Sequence, residues 1–373
     1  MSGRLPLATV TTPLSSVPQA QSAVSLAAHT TLRLGGPAAR FLPATSATEL
    51  IDAVRAADTA GEPLLLLGGG SNVVVGDAGF AGLVVRVATT GRRVDSIGDG
   101  LVELTVEAGE DWDSVVADAV DQGLGGLECL SGVPGLVGAT PVQNVGAYGV
   151  EIADLLTSVD LLDRRSGQVR RVAAAELGLG YRTSVLKGTD SAVVLRARFR
   201  LTSGGESAPI RYAELARVLG VGADERVPAE AARQAVLELR RGKGMVLDPA
   251  DHDTWSAGSF FTNPVLDADT FPLVLARIQG QLGEGVAVPS YPAADGHHKL
   301  SAAWLIERAG FTRGHQGPGG RVALSGKHTL ALTNRGGACA EDLLTLAREV
   351  RDGVRSAFGV ELRPEPVLVG CAL

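Results

Sequence analysis

Ser259 lies in the stretch Ser-Ala-Gly-Ser-Phe-Phe-Thr-Asn-Pro (residues 256–264), its hydroxyl set between a glycine and two phenylalanines. No G-x-S-x-G surrounds it and no histidine stands a few residues away, so it is not arranged as a nucleophile. Two readings are open: a serine that turns the chain at the edge of a core, or a hydroxyl held in an apolar pocket for chemistry. Arg182, in Gly-Tyr-Arg-Thr-Ser-Val-Leu-Lys (180–187), has few acids beside it in the chain. It is either a surface residue or a planar fork aimed at an anion. Glu365 stands between Pro364 and Pro366, a rigid placement that suits catalysis and would equally suit a salt bridge. Arg240, Arg241 and Lys243 cluster where a helix should end, which fits the helix dipole or a pyrophosphate contact. The adjacent His297 and His298 point in different directions, and neither they nor His315 has a carboxylate at ligand spacing, so no metal site is expected.

Leu67–Val75 reads Leu-Gly-Gly-Gly-Ser-Asn-Val-Val-Val, directly after an expected strand. Glycines there let the backbone approach a phosphate closely and offer N–H donors with no Cβ in the way. A tight hairpin turn would use them equally. The Rossmann fingerprint fails, because Val73 stands where its third glycine belongs. Walker A fails too: Gly242-Lys243 and Gly326-Lys327 are followed by Gly and His. The segment Ser131–Glu151 carries glycines at 132, 135, 138, 146 and 149. Each costs conformational entropy, and a long structureless loop inside a domain is usually functional. Two such loops point to a bound dinucleotide, and a flavin would fit.

These groups need a scaffold. Periodicity predicts helices at Thr48–Ala60, with Thr48 as the cap, and at Asp111–Gln122, with Trp112, Val115, Val116, Ala119 and Val120 facing inward. Strands are expected at Pro63–Leu67, Leu83–Val87 and Leu101–Glu107, a hairpin at Ser158–Leu162 and Gln168–Val172, and a half-buried strand at Val193–Leu201. Gly123–Val150 is too rich in glycine for a regular element. The turn cluster Ser203–Ser207 is the natural domain boundary. Helices follow near Arg211–Leu219, Pro228–Arg240, Ala268–Gln279, Ser301–Ala309 and Glu341–Phe358, with short strands at Thr329–Thr333 and Pro366–Val369. The alternation is not a strict βαβ series, so the expected fold class is α+β, not doubly wound α/β.

At 373 residues the chain should build two or three domains. Its 34 basic and 41 acidic residues leave a net charge of −7, which disfavours nucleic acid or an anionic membrane as partner. A local basic pocket for a small anion is compatible with that balance. Cys129, Cys339 and Cys371 are far apart with no C-x-x-C pair, which favours reduced thiols in the cytosol over disulfides or zinc. No apolar run reaches membrane-spanning length. Residues 1–24, rich in Pro, Ser and Thr, read as a disordered tail, not a signal peptide. A soluble, cytoplasmic protein is expected.

The pieces fall, in order, where one family has them. The chain resembles the UDP-N-acetylenolpyruvoylglucosamine reductases (UDP-N-acetylmuramate dehydrogenases), flavoenzymes that complete UDP-N-acetylmuramic acid for bacterial peptidoglycan. The resemblance runs from Thr-Thr-Leu-Arg-Leu-Gly-Gly-Pro-Ala (30–38) through residues 67–72, 133–151, 180–184, 240–244, 257–264, 291–310 and 334–338 to Leu-Arg-Pro-Glu-Pro (362–366). Gly-Ala-Tyr-Gly (146–149), Gly-Tyr-Arg (180–182) and Gly-Ser-Phe-Phe-x-Asn-Pro (258–264) in succession are its specific part.

The resemblance implies an FAD-binding module of the vanillyl-alcohol-oxidase type, two α+β subdomains over 25–203, then an α+β substrate-binding domain over 204–373. A C-terminal strand near 365–369 can return toward the FAD domain. Gly68, Gly69, Gly70, Ser71 and Asn72 and the loop Gly138-Ala139-Thr140-Pro141 should cradle FAD, with Gly146, Tyr148 and Gly149 packing near it. In the family NADPH, the co-substrate, gives a hydride to the flavin, which passes a hydride to the enolpyruvyl double bond of a UDP-sugar. Arg182 and Glu365 match the pair that stabilises the enolate-like intermediate, Glu365 in its protonated form. Ser259 matches the residue that delivers the final proton to carbon, with Lys243 as the nearby positive charge and the two phenylalanines excluding water. Tyr212, Lys243, Asn263, Tyr291 and His328 fall where the family binds the UDP-sugar, and a monomer is expected. Two departures stand out: Thr30 where many relatives have Asn, and the insert between Lys243 and Ala257 on the approach to Ser259. The alternatives are an FAD-linked oxidase or dehydrogenase of a different small alcohol or sugar, and a flavin-carrying paralogue that only binds or regulates.

Overall fold

The computed structural model of the chain describes residues 20–373, so residues 1–19 of the expected tail lie outside the described residues. The end of that segment is ordered. Gln21–Ser25 form β1, paired antiparallel with β2 (Pro37–Ala44), and only Val24 of its alternating residues packs on the core. A strand with one apolar contact carries almost no sequence signal.

β1, β2, β5 (Phe80–Val87) and β3 (Leu64–Leu67) make one sheet in that order, with β2, β5 and β3 parallel. Helix α1 (Ala47–Ala60) packs Leu50 and Val54 against it. Its cap is Ser46, not Thr48: Ser46 Oγ accepts from Glu49 N, and the Glu49 carboxylate reaches back to Thr45 N. β4 (Val73–Val75) leaves this sheet and pairs in parallel with the last strand, β19 (Val367–Val369).

The second unit is a six-stranded sheet. Its path runs β12 (Val169–Ala173), β11 (Leu156–Asp163), β13 (Ala192–Ser203), β7 (Leu101–Glu107), β6 (Arg92–Gly98), with β8 (Leu124–Gly125) on the end of β13. Helix α2 (Trp112–Asp121), capped by Asp111, drives Trp112 edge-on against Phe199. Between α2 and β11 the chain forms only short pieces, as its glycines require: β8, three single 3-10 turns, and the ribbon of β9 (Gly146–Ala147) and β10 (Val150–Glu151). The single apolar face expected for β13 is divided. A bulge opposite Asp160 and Leu161 sends Val193 and Leu195 toward α1, and Ala197, Phe199 and Leu201 toward α2. Arg198, on the other side, is buried against both oxygens of Asp160. Helices α3 (Ala213–Leu219) and α4 (Ala229–Gly242) follow the 203–207 turn, yet Leu215, Ala232 and Val236 enter the same core as Trp112.

The third unit packs α5 (Thr270–Leu282), α6 (Ala302–Arg308) and α7 (Ala340–Phe358) on two small sheets. One holds β14 (Val265–Leu266), β16 (His298–Leu300) and β15 (Ser290–Pro292), the other β17 (Val322–Leu324) and β18 (Leu332–Asn334). The strand expected at Thr329–Thr333 starts later, because a turn from His328 O to Ala331 N occupies its beginning. Asp77, on the loop after β4, accepts from Ala340 N and Glu341 N, capping α7 from the first unit. Among the described residues no cluster of His, Cys, Asp and Glu is placed to hold a metal, and no helix is long and apolar enough to cross a membrane.

Candidate active site

Where the three units meet, a cavity of ≈ 430 Å³ is lined by Gly68–Asn72, Ala139, Thr140, Gly146, Arg182, Ser259 and Glu365, among others. One wall is backbone. Gly70 has φ +63, and a Cβ there would lie 2.0 Å from the carbonyl oxygen of His29. A Cβ on Gly69 would lie 2.8 Å from Gly135 Cα, so the two glycine-rich loops touch backbone to backbone. Ser71 Oγ donates to Pro134 O across the same contact. Gly68 differs: its Cβ would meet nothing nearer than a Leu136 methyl at 3.8 Å. Packing within the protein does not demand a glycine at 68, and the space above it belongs to the cavity. The second loop contributes more than expected, with Pro134, Leu136, Val142 and Gln143 lining the cavity too. Gly138 sits behind, where Ala108 leaves no room for a side chain, and Gly149 packs on Arg211 and Tyr212.

The opposite wall is made of side chains. Arg182 Nη2 donates to Gly146 O at 2.7 Å, its Nε faces Glu365 Oε1 at 3.6 Å, and its Nη1 is buried with no hydrogen-bond partner in the protein. Glu365 is fixed through its backbone. Its N–H donates to Phe260 O at 2.9 Å, and Val367 N donates to Asn72 O at 3.0 Å. One short segment therefore ties the glycine-rich loop to the residue after Ser259. Burial pushes the Glu365 pKa above the usual carboxylate range, against the pull of Arg182 and Lys187.

Ser259 follows Gly258, whose φ is +74. The expectation that the phenylalanines screen it from water is not met. Phe260 and Phe261 are buried in the core of the third unit, edge to face, and anchor the segment from behind. Thr31 completes the framework, its N–H donating to Gly70 O and its hydroxyl to Ser256 O at 2.7 Å. Thr30 bonds locally to Leu34, a task that a threonine performs by itself.

Pro141 lies outside this lining, and so do the other expected residues, in two groups. Tyr148 and Tyr212 meet edge to face at 5.3 Å, with Lys243 Nζ over the Tyr148 ring and bonded to Glu214 at 2.7 Å. Burial opposes the charge on Lys243, but the Glu214 hydrogen bond and Tyr148 raise its pKa overall. His328 is half-buried near Lys243, and burial first, then Lys243 and Arg313, bring its pKa down to about 4. Asn263 and Tyr291 form the second group. Asn263 Oδ1 accepts from Ala302 N, and Tyr291 is exposed opposite Lys299, whose ammonium lies 4.5 Å from the Tyr181 ring centre.

Two further cations belong to the lining: Lys187, which carried no assignment, and Arg240, expected to meet either the helix dipole or a pyrophosphate. Lys187, five residues after Arg182, and Arg240 are the cavity's own positive charges beside Arg182, whereas Lys243 is occupied by Glu214. The Arg240 Nε is buried with no partner, and burial lowers its pKa. A buried cation facing an open cavity fits an anionic cofactor such as a dinucleotide, and with the space above Gly68 it makes the residues present compatible with FAD. The run Arg240-Arg241-x-Lys243 was the signal for Arg240. Nothing in the sequence singles out Lys187, whose role depends on the turn between.

FAD binding domains, as a family, match residues 37–173, and the family described as UDP-N-acetylenolpyruvoylglucosamine reductase, C-terminal domain, matches residues 248–369. A UDP-N-acetylenolpyruvoylglucosamine reductase of Saccharopolyspora erythraea is 70% identical, covering 94% of this chain and 95% of its own. The chain belongs to this family. Reductases of the same name from Nocardia farcinica and Thermobifida fusca are 61% and 56% identical, covering 95% and 94% of this chain and 90% and 98% of their own. The crystal structure of the UDP-N-acetylenolpyruvylglucosamine reductase from Thermus caldophilus is similar with a TM-score of 0.64 at 26% identity, over 94% of this chain and 99% of that one. As a member of this family the chain is an FAD-dependent oxidoreductase, and its α+β architecture is the one the resemblance implied.

Proposed function

We propose that this chain reduces the enolpyruvyl group of UDP-N-acetylglucosamine enolpyruvate to give UDP-N-acetylmuramate, using NADPH, for peptidoglycan precursor synthesis. The observation that carries this reading is that Arg182, Ser259 and Glu365, from three separate stretches, line one cavity with Gly68–Asn72. FAD, when bound, takes a hydride from NADPH and supplies a hydride to the methylene carbon of the enolpyruvyl group.

The side chains answer the charge that then grows on the adjacent carbon and its carboxylate. Arg182 offers its guanidinium to that anion, its Nη1 making no hydrogen bond in the protein and lying 4.0 Å from Glu151 Oε1, and a donor aimed at developing charge is where most catalytic power lies. Glu365, its pKa raised by burial, keeps its proton and donates a hydrogen bond to the same group. Ser259 gives up its hydroxyl proton to carbon. A hydroxyl is a very weak acid, so the recipient must be strongly basic, and an enolate-like carbon is.

Gly68, Gly69, Gly70, Ser71 and Asn72 and the loop from Gly138 through Pro141 hold the flavin, with Gly146, Tyr148 and Gly149 beside it. Tyr212, Lys243, Asn263, Tyr291 and His328 take the UDP-sugar. The division into a flavin-binding part, 25–203, and a substrate-binding part, 204–373, assigns α3 and α4 to the second part although they pack on the core of the first. The chain acts as a cytoplasmic monomer, with no nucleic acid or membrane as partner, and serves cell shape and division through the wall.

An absorbance spectrum of the purified protein tests the reading. The flavin band should bleach on anaerobic addition of NADPH and return on addition of the enolpyruvyl sugar nucleotide. No flavin band, or bleaching that this substrate fails to reverse, overturns it.

A further inference from the structure

Tyr181 and Arg182 form the tip of a tight turn closed on both sides, Gly180 N to Thr183 O at 3.1 Å and Thr183 N to Gly180 O at 3.2 Å. Arg182 has φ +53 there, a left-handed conformation that residues with a side chain rarely adopt. Such a conformation persists only where its surroundings over-determine it. Gly146 O holds the guanidinium. Lys187 holds the backbone, its Nζ donating to Arg182 O at 2.8 Å. Lys187 also lines the cavity that Glu365 lines, and its ammonium, held at Arg182 O, lies on the turn whose guanidinium faces Glu365.

We propose that Lys187 is a positioning residue of this site, locking the Arg182 turn through its carbonyl and setting the field in which Glu365 holds its proton. The proposal rests on the reading that Arg182 and Glu365 act together on the enolpyruvyl group. The groups facing Glu365 are Arg182 and Tyr181 from the turn and Lys187 from the loop after it, while Glu151 from β10 faces Arg182 at 4.0 Å on its other side. A cation near a carboxyl favours its ionised form. Removing the Lys187 ammonium therefore has two effects: the turn loosens, and Glu365 keeps its proton to higher pH. A reaction that needs protonated Glu365 runs below its pKa and fails as pH rises through it, so the alkaline limb moves upward.

The test is single-turnover flavin reoxidation by the enolpyruvyl sugar nucleotide, measured per bound flavin across the neutral and alkaline range. Lys187→Met is expected to slow it roughly tenfold to a hundredfold, the scale of a small misplacement of a catalytic group, and to shift the alkaline limb to higher pH. Lys187→Arg keeps the charge and should recover part of the rate with the limb near its original position. Carbon NMR of the Glu365 carboxyl, assigned by its loss in Glu365→Gln, should show the same upward shift in Lys187→Met without any turnover. A slower Lys187→Met with an unmoved limb and carboxyl titration overturns the proposal, as does an unchanged rate. Should Lys187→Met not fold, a Lys187→Arg limb displaced from that of the original protein overturns it equally. A parent enzyme that this substrate does not reoxidise refutes the functional reading alone, and the carboxyl titration still decides the role of Lys187.

Discussion

The two walls of the cavity are built in opposite ways. On one side, Gly68–Asn72 and the Gly135 loop are backbone packed on backbone, tied by Ser71 to Pro134 and by Thr31 to Gly70. On the other, Arg182 adopts a left-handed backbone and keeps a buried Nη1 without a hydrogen bond, its Nε lies 3.6 Å from Glu365 Oε1, and burial raises the pKa of that carboxyl. The first wall is closely packed, backbone on backbone, and recognises by shape. The second holds bonding capacity in reserve. A group already satisfied by protein partners gains nothing when charge appears in the reaction, whereas an unsatisfied one stabilises the transition state more than the ground state.

The contrast breaks most visibly at Gly70. With φ +63 and the His29 oxygen 2.0 Å from where a Cβ must go, Gly70→Ala should cost more than about 4 kcal/mol, the range reserved for strain with a named cause. Thermal melting and flavin absorbance per mole of protein should both collapse. Survival of both would mean that the shape of this wall is not what holds the flavin.

At Arg182 the same kind of backbone has the opposite consequence. Arg182→Gly relieves the left-handed conformation, so the melting temperature should hold or rise, while reoxidation by the sugar nucleotide falls about 10²- to 10³-fold, the cost of one donor to a developing anion. Melting and stopped-flow absorbance on one preparation separate the two. A variant that loses stability as well as activity would place Arg182 among the structural residues.

His328 sharpens the contrast by a smaller amount. Its pKa in the fold, about 4 against 6.5 for an ordinary histidine, is set first by burial and then by Lys243 and Arg313. Between those values the unfolded chain takes up a proton that the folded chain refuses, so stability falls as pH falls from 6.5 to about 4. The loss is at most about 3 kcal/mol. Urea titrations across that window should show it, and His328→Gln should flatten it.

How much of this was legible depended on whether the signal was local. The glycines of 68–70 and 132–149, the hydroxyl after Gly258 and the carboxylate between two prolines all declare themselves by neighbours in the chain. The fold gathers Gly68–Gly70, Gly135, Gly146, Ser259 and Glu365 at one cavity and uses Gly132, Gly138 and Gly149 for packing around it. Helices with a clear stripe, such as α2 and α7, fall within a residue or so of where periodicity puts them. Features made by distant pairings were not legible. The bulge that splits the faces of β13 arises from its register with β11. β1 is ordered by β2, and Lys187 matters because a turn brings its amine back to Arg182. The phenylalanines after Ser259 read as a screen for the cavity, but a hydrophobic pair cannot announce which side of the chain it will bury.

The central claim is that the side-chain wall, and Ser259 within it, acts only in the transfer to substrate. Ser259→Ala measures this most directly, in an anaerobic stopped-flow experiment that adds NADPH first and the enolpyruvyl sugar nucleotide second. Bleaching of the flavin by NADPH should proceed as in the parent protein, and its return with the sugar nucleotide should slow by about 10²- to 10⁴-fold, the scale of a lost proton donor. A return at the parent rate would contradict the account.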